Sequence, residues 1–289
     1  MPAEPPEMQP SERSDPTMIQ SRTTVSPSCA GMASWTDRLG EVWAVHQPRF
    51  DRMLARYNGA FLAMTGISRT DQVLDIGCGT GTLTRAAAEL APSGRVLGID
   101  LSPAVLAVAR KHTRRQSNVS YLQADAESYP LRAQAYQAII SRFGTMYFRQ
   151  PATAFHRIGQ ALQDAGQLTM LVWQTRDRNE WVRVIDDSLG PRASHMFGWT
   201  DDGTGGPEVI DDLLANAGFD RIAFTDVRQP LFLGVDAEEA DMFVRAVVSR
   251  DPHDRRQQDE LRAALTARQL VSGGVLLNSA AWLVTARKA

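Results

Sequence analysis

Three glycines in one short stretch, followed by acids at the ends of predicted strands, carry the chemistry of this sequence. In VLDIGCGTGTLT (73–84) an apolar run leads into Gly77, Gly79 and Gly81 and then into a segment of helical character. Glycine lets a backbone turn sharply and approach a bound molecule closely, and a Cβ at these positions would fill space that a nucleoside needs. Nucleotide phosphate loops usually read GxGxxG or GxxxxGK[ST]. Here the last glycine comes one position early and no lysine follows, so a ligand without phosphate fits better. Asp100 closes VLGID (96–100), where a carboxylate can accept both hydroxyl hydrogens of a ribose. Asp125 closes VSYLQAD (119–125), where the carboxylate or its neighbouring backbone can receive an adenine amino group. Asp75, near the end of the first strand, can attract an ammonium directly or through water. Three acids at the carboxyl edge of one sheet point to a ligand, because open α/β sheets bind there.

The elements that must present these side chains follow from periodicity. Short apolar strands are predicted over 73–77, 96–100, 119–125, 135–141 and 167–173. Helices are predicted between them, with Thr80 or Thr82 capping the first, Ser102-Pro103 opening the second and Pro151 beginning another. This alternation predicts an α/β fold with a parallel sheet covered on both faces. Residues 34–66 read as helical, in one or two pieces broken near Pro48, with Asp51 able to cap the second. Phe50, Met53, Leu54, Tyr57, Phe61 and Leu62 make an apolar stripe there. Residues 1–34, rich in Pro and Ser, read as a disordered tail or a lid that orders on ligand binding. The remainder, 35–289, reads as one domain with a helical cap over 35–66. Substrate-side additions are expected at 174–206 and 236–270, and a last strand at 277–288.

The segments 73–84, ID-LSP (99–103), Ala124-Asp125-Ala126-Glu127 and SRFGTMYF (141–148) resemble the successive motifs of the class I S-adenosylmethionine-dependent methyltransferases, in their broad small-molecule (type 11/25-like) branch. AAWLVTAR (280–287) is similar to the closing strand of that branch. The resemblance implies a doubly wound, Rossmann-like sheet of seven mostly parallel strands whose last strand is antiparallel. It implies S-adenosyl-L-methionine as cofactor, held by Asp75, Gly77, Cys78, Gly79, Gly81, Asp100, Leu101, Asp125, Ala126 and Ser141. Of these, the glycines would face the methionine part, Asp100 the ribose, Asp125 and Ala126 the adenine, Leu101 the adenine face, and Ser141 would lie beneath the sulfonium. The acid often found early in the fourth strand of the family is absent around Tyr136-Gln137.

Direct displacement of a methyl group needs an electron-rich acceptor held in line and shielded from water, with a base where the acceptor is a hydroxyl or protonated amine. His46, Tyr147 and Arg142 are the catalytic candidates, and His195 in the insertion is a weaker one; His156, His112 and His253 read as surface or packing residues. Trp43, Tyr57, Trp173, Trp181 and Trp199 favour a small, fairly apolar organic acceptor over a charged polymer. No HExxH, cysteine cluster or HxH pair suggests a metal. The chain carries 31 basic and 33 acidic residues, a net charge of -2, with no strong basic bias to steer nucleic acid or an anionic membrane. SRFG stands where a base-amine methyltransferase would carry [DN]PP[YF]. A nicotinamide-dependent oxidoreductase fits Asp100 but not the glycine spacing, and a cofactor-binding scaffold without turnover is the non-enzyme alternative. No apolar run is long enough to span a bilayer and the start lacks the pattern of a secretory signal, so a cytoplasmic protein is expected, with a homodimer left open.

Overall fold

The computed structural model describes residues 35–36, 38–197, 206–248 and 255–289. Two cap helices, α1 (Arg38–Val45) and α2 (Gln47–Met64), precede the sheet. The break falls at His46, with Pro48 in the first turn of α2, where its missing N–H costs nothing. The apolar stripe folds inward as expected: Phe50, Met53, Leu54, Tyr57 and Phe61 are buried, and Leu62 is half-buried. Burying such side chains stabilises the cap by about 1.5–3 kcal/mol each.

Strand and helix then alternate: β1 (Gln72–Ile76), α3 (Thr82–Leu90), β2 (Arg95–Asp100), α4 (Pro103–His112), β3 (Val119–Gln123), β4 (Tyr136–Arg142), α5 (Pro151–Ala161) and β5 (Leu162–Trp173). Beyond them lie α6 (Glu180–Leu189), α7 (Pro207–Asn216), β6 (Phe219–Arg228), β7 (Leu231–Gly234), α8 (Ala237–Val248), α9 (Arg255–Thr266), β8 (Val275–Leu277) and β9 (Ala280–Lys288). The seven-stranded sheet has the order β3-β2-β1-β4-β5-β9-β6. The pairs within β3-β2-β1-β4-β5 are parallel, and β9 runs antiparallel between β5 and β6. The doubly wound architecture and the antiparallel last strand are as expected. The order reverses between β1 and β2 on one side and β4 on the other, which puts a ligand crevice at the carboxyl ends of β1 and β4.

Several local expectations need correction. The predicted final strand begins three residues later than expected, as β9; Leu277, its expected start, instead closes β8, which pairs with β7 in a small separate sheet. Residues 174–197 form more regular structure than their polar stretches suggested. They include α6, whose apolar face buries Trp181, Val182 and Ile185. Neither Thr80 nor Thr82 caps α3; Gly81 occupies the N-cap with φ +77 and no side-chain bond. Asp51 lies past the first turn of α2 rather than at its cap, which is His46. Ser102 caps α4 through Val105 N, as its position predicted. The tail expected over 1–34, together with Trp199 and His253, lies outside the described residues.

Candidate functional site

A cavity opens where β1, β2, β3 and β4 end, roofed by the cap helices. On one side its walls come from the loop after β1 (Gly77, Cys78, Gly79, Thr80), the end of β2 (Asp100, Leu101) and the turn after β3 (Asp125, Ala126, Glu127). On the other they come from Trp35, Trp43 and Phe50 of the cap, from Phe143, Tyr147 and Phe148 after β4, from Trp173 at the end of β5, and from Phe197. The polar half meets the aromatic half at Asp75 and Arg142.

The glycine turn is held by Asp100. One carboxylate oxygen accepts the Gly79 amide at 2.8 Å and the other accepts the Ser102 amide at 2.9 Å. Each oxygen keeps a further lone pair for a ligand. Burial pushes the Asp100 carboxyl above its ordinary range, and the amide bonds oppose that shift. The three glycines do different work. A Cβ on Gly79 would meet nothing within 4 Å, so this position faces open space and can let a ligand lie against the backbone. A Cβ on Gly77 would sit 2.9 Å from Gly144 Cα, where the loops after β1 and β4 cross. A Cβ on Gly81 would strike the Tyr121 hydroxyl. Gly81 therefore shapes the turn from behind and does not line the cavity, contrary to the cofactor-facing place expected for it.

Asp75 is 2% exposed and accepts Thr84 Oγ1 at 2.6 Å. Burial is the chief reason its carboxyl rises to about 7; the Thr84 bond and the Arg142 charge pull the other way. Asp125 lies two residues beyond the end of β3, in a turn where its Oδ1 accepts the Glu127 amide at 2.9 Å. It lines the cavity with Ala126 and Leu101. Ser141 does not. It is fully buried, and its hydroxyl donates to the Ile76 carbonyl at 2.9 Å, tying β4 to the end of β1. The thiol of Cys78, also on the wall, is pushed well up by burial, so it stands as a neutral group.

Of the catalytic candidates, Arg142 and Tyr147 line the cavity and His46 does not. His46 sits at the hinge between α1 and α2 with its ring 6.0 Å from that of Phe243, and desolvation lowers its pKa. Burial raises the Tyr147 phenol. Arg142 ends β4, and its Nη1 donates to Asn58 Oδ1 of α2 at 2.5 Å. Desolvation lowers the guanidinium, and the charges of Asp51 and Asp75 hold it up. Trp43 and Trp173 are on the wall. Tyr57 and Trp181 are core residues beside it: Tyr57 Oη lies 2.6 Å from Ser279 Oγ, and Trp181 donates to Asn179 Oδ1 at 3.0 Å. His195 lies in a short 3-10 helix off the cavity, and His156, beside Gln160 on α5, is equally remote.

Sequence reasoning missed three contributors. Asp51 accepts Thr82 Oγ1 at 2.8 Å and a bond from Gln47, linking the cap to the first turn of α3. Phe143 carries φ +61 and stacks on Trp173 with ring centroids 3.9 Å apart. Trp35 meets Tyr147 edge-on at 5.2 Å. The signal for Asp51 was present in the helical stripe, where an acid falls next to Phe50; the other two depend on how the loops cross.

Comparison with known proteins agrees with this layout. The family described as "Methyltransferase domain" matches residues 73–166. A demethylmenaquinone methyltransferase of Thermus thermophilus is 34% identical over 162 residues, covering 51% of this chain and 74% of that protein. A 2-phytyl-1,4-naphtoquinone methyltransferase of Thermosynechococcus vestitus is 28% identical over 162 residues, covering 52% and 72%. Among solved structures, a phosphoethanolamine N-methyltransferase 2 of Haemonchus contortus, in complex with phosphomonomethylethanolamine and S-adenosylhomocysteine, superposes with a TM-score of 0.58 at 18% identity, covering 91% of this chain and 60% of that one. That last likeness is one of fold.

Proposed function

Because the chain belongs to the class I S-adenosylmethionine-dependent methyltransferases, we propose that it methylates a small, fairly apolar organic acceptor held in the aromatic half of its cavity. The observation that carries this reading is the continuity of the cavity. Carboxylates and glycine amides occupy one end, a cluster of aromatic rings the other, and both open on the sheet's topological switch point.

When bound, the cofactor supplies a methyl group on a positively charged sulfur that is a good leaving group. The chain's part is to bind, orient and exclude water. The free lone pairs of Asp100 suit two ribose hydroxyls, and the bare backbone at Gly79 lets the sugar and methionine portions lie close. Asp125, Ala126 and Leu101 stand at the position for a purine, with Leu101 offering an apolar face. Asp75 suits the ammonium, whose charge would favour its ionised form. Gly81 and Ser141 support the turn and strand ends from behind.

On the acceptor side, the stacked pair Phe143–Trp173 and the stacked pair Trp43–Phe50, whose centroids are also 3.9 Å apart, offer flat apolar surfaces. The additions after β5 support this reading. Phe197 reaches the cavity, and Phe243 of α8 packs edge-on against Phe50 at 5.3 Å behind it. Two curated relatives are named as a 2-phytyl-1,4-naphtoquinone and a demethylmenaquinone methyltransferase. Among the described residues no helix is long and apolar enough to cross a membrane. Transfer of labelled methyl from S-adenosyl-L-methionine to a panel of small aromatic and aliphatic acceptors tests the proposal. Labelling of aromatic members is the expected result. Labelling of nucleic acid or protein alone would overturn it.

A further inference from the structure

Where its aromatic half begins, the cavity wall carries a cation that has no ion-paired carboxylate among the described residues. Arg142 is a half-buried residue on the wall, and its one hydrogen bond goes to a neutral oxygen, Asn58 Oδ1. A guanidinium carries five N–H donors, so most of its bonding capacity is free. Among the described residues no carboxylate comes within ion-pair distance of it. The charges that face it from a distance are Asp51 of α2 and Asp75 of β1. Each is already engaged, Asp51 by Thr82 and Gln47 and Asp75 by Thr84. Among the described residues no histidine lines the cavity, and the phenol of Tyr147, raised by burial, is no base. Among the described residues the wall thus offers a strong donor array for an oxyanion and no proton-abstracting group beside the aromatic surfaces.

Resting on the methyltransferase reading above, we infer that the acceptor is a planar, apolar molecule with an acidic hydroxyl, a phenol or enol, taken as its anion with the oxygen paired to Arg142. The hydroxyl proton leaves to solvent. The oxyanion, directly or through its conjugated carbon, gives an electron pair to the methyl carbon as the carbon–sulfur bond breaks and its pair returns to sulfur. Transfer at oxygen cancels one negative and one positive charge; transfer at carbon does the same and leaves a ring or chain proton to be lost to solvent as the hydroxyl is regenerated. Arg142 increases the ionised fraction of the acceptor near neutral pH in place of a proton-abstracting side chain.

The full chain loaded with S-adenosylhomocysteine, titrated with 4-nitrophenol while its phenolate absorbance is followed against pH, tests this. The wild type should bind the probe and lower its apparent pKa by at least about one unit. Arg142→Lys should keep part of that shift, and Arg142→Gln should lose it while binding S-adenosylhomocysteine as the wild type does. Absence of probe binding, an unshifted pKa in the wild type, or an equal shift in Arg142→Gln would overturn the inference. Loss of S-adenosylhomocysteine binding in Arg142→Gln would also overturn it, assigning the guanidinium to the cofactor's carboxylate. Failure of the wild type to bind S-adenosylhomocysteine would instead remove the methyltransferase reading beneath it.

Discussion

Thr82 donates its hydroxyl to Asp51 at 2.8 Å, joining the first turn of α3 to the second turn of α2 beside the glycine loop. The cap is thereby fastened to the element that shapes the ligand turn. A hydrogen bond to a charged partner in a partly buried setting contributes about 1.5–3 kcal/mol. Thr82→Val should therefore weaken S-adenosylhomocysteine binding by roughly tenfold or more and speed amide exchange at the start of α2, with little change in the exchange of β1. Calorimetry and hydrogen exchange on the same variant check both halves. Unchanged exchange in α2 would show that the contact does not hold the cap.

Substitutions in the glycine turn should separate stability from binding. Gly77→Ala forces a Cβ against the Gly144 backbone and adds left-handed strain at φ +66, so melting temperature should fall, with a loss of roughly 1–3 kcal/mol. Gly79→Ala meets no protein atom, and its strain at φ +53 is the smaller cost. Its methyl projects into open space, so cofactor affinity should fall far more than stability. Equal loss of stability in the two variants would contradict this division.

Asp75 makes stability depend on pH. Its folded pKa of about 7 lies above the ordinary value of 3.8, mainly through burial. The folded state therefore binds the proton more tightly than the unfolded state. The contribution is fully present below the unfolded value and is lost as pH rises through the folded one, between roughly 4 and 7. Asp75→Asn keeps an oxygen to accept from Thr84 and removes the titration, so its melting temperature should change less than the wild type's across that window, and cofactor affinity should fall with the lost charge. Thermal melts at stepped pH check the sign.

The aromatic platform should matter to the acceptor and not to the cofactor. Trp173→Ala removes the ring stacked on Phe143 and opens the far wall. Truncating a large aromatic side chain at this depth costs about 3–5 kcal/mol of stability. Trp173→Leu is the milder variant. In it KM for the acceptor should rise while S-adenosylhomocysteine affinity stays near the wild-type value. A matching loss of both would place the platform in the cofactor half.

Much of the fold was legible in the sequence because β1 and β2 are short apolar runs ending in glycine or acid, β4 carries the apolar run Ala138–Ile140, and Ser102-Pro103 announces its helix without ambiguity. The polar half of the site followed from those strand ends: Asp75, Gly77, Cys78, Gly79, Asp100, Leu101, Asp125 and Ala126 all line the cavity. Gly81 and Ser141 were misplaced because residue type and spacing do not reveal which side of a turn or strand a group faces; Tyr121 and Ile76 decide that. His46 drew notice by its chemistry, yet the α1–α2 break turns it towards Phe243. Phe143 was unreadable for another reason. A left-handed backbone at a bulky aromatic residue is held by the surrounding structure and leaves no local signature. The later start of β9, past Asn278-Ser279, was missed because the apolar run continues on both sides of that pair.

Calorimetric titration of S-adenosylhomocysteine into the wild type and Asp100→Asn measures what the Asp100 carboxylate contributes to cofactor binding. The substitution sets an amide N–H₂ against the Gly79 or Ser102 amide and removes the charge that would face the ribose. Saturable binding to the wild type is expected, with a Kd at least about tenfold weaker in the variant, as follows for lost bonds to a charged group. Saturable binding of equal strength in both proteins, or no heat with either, would contradict that contribution.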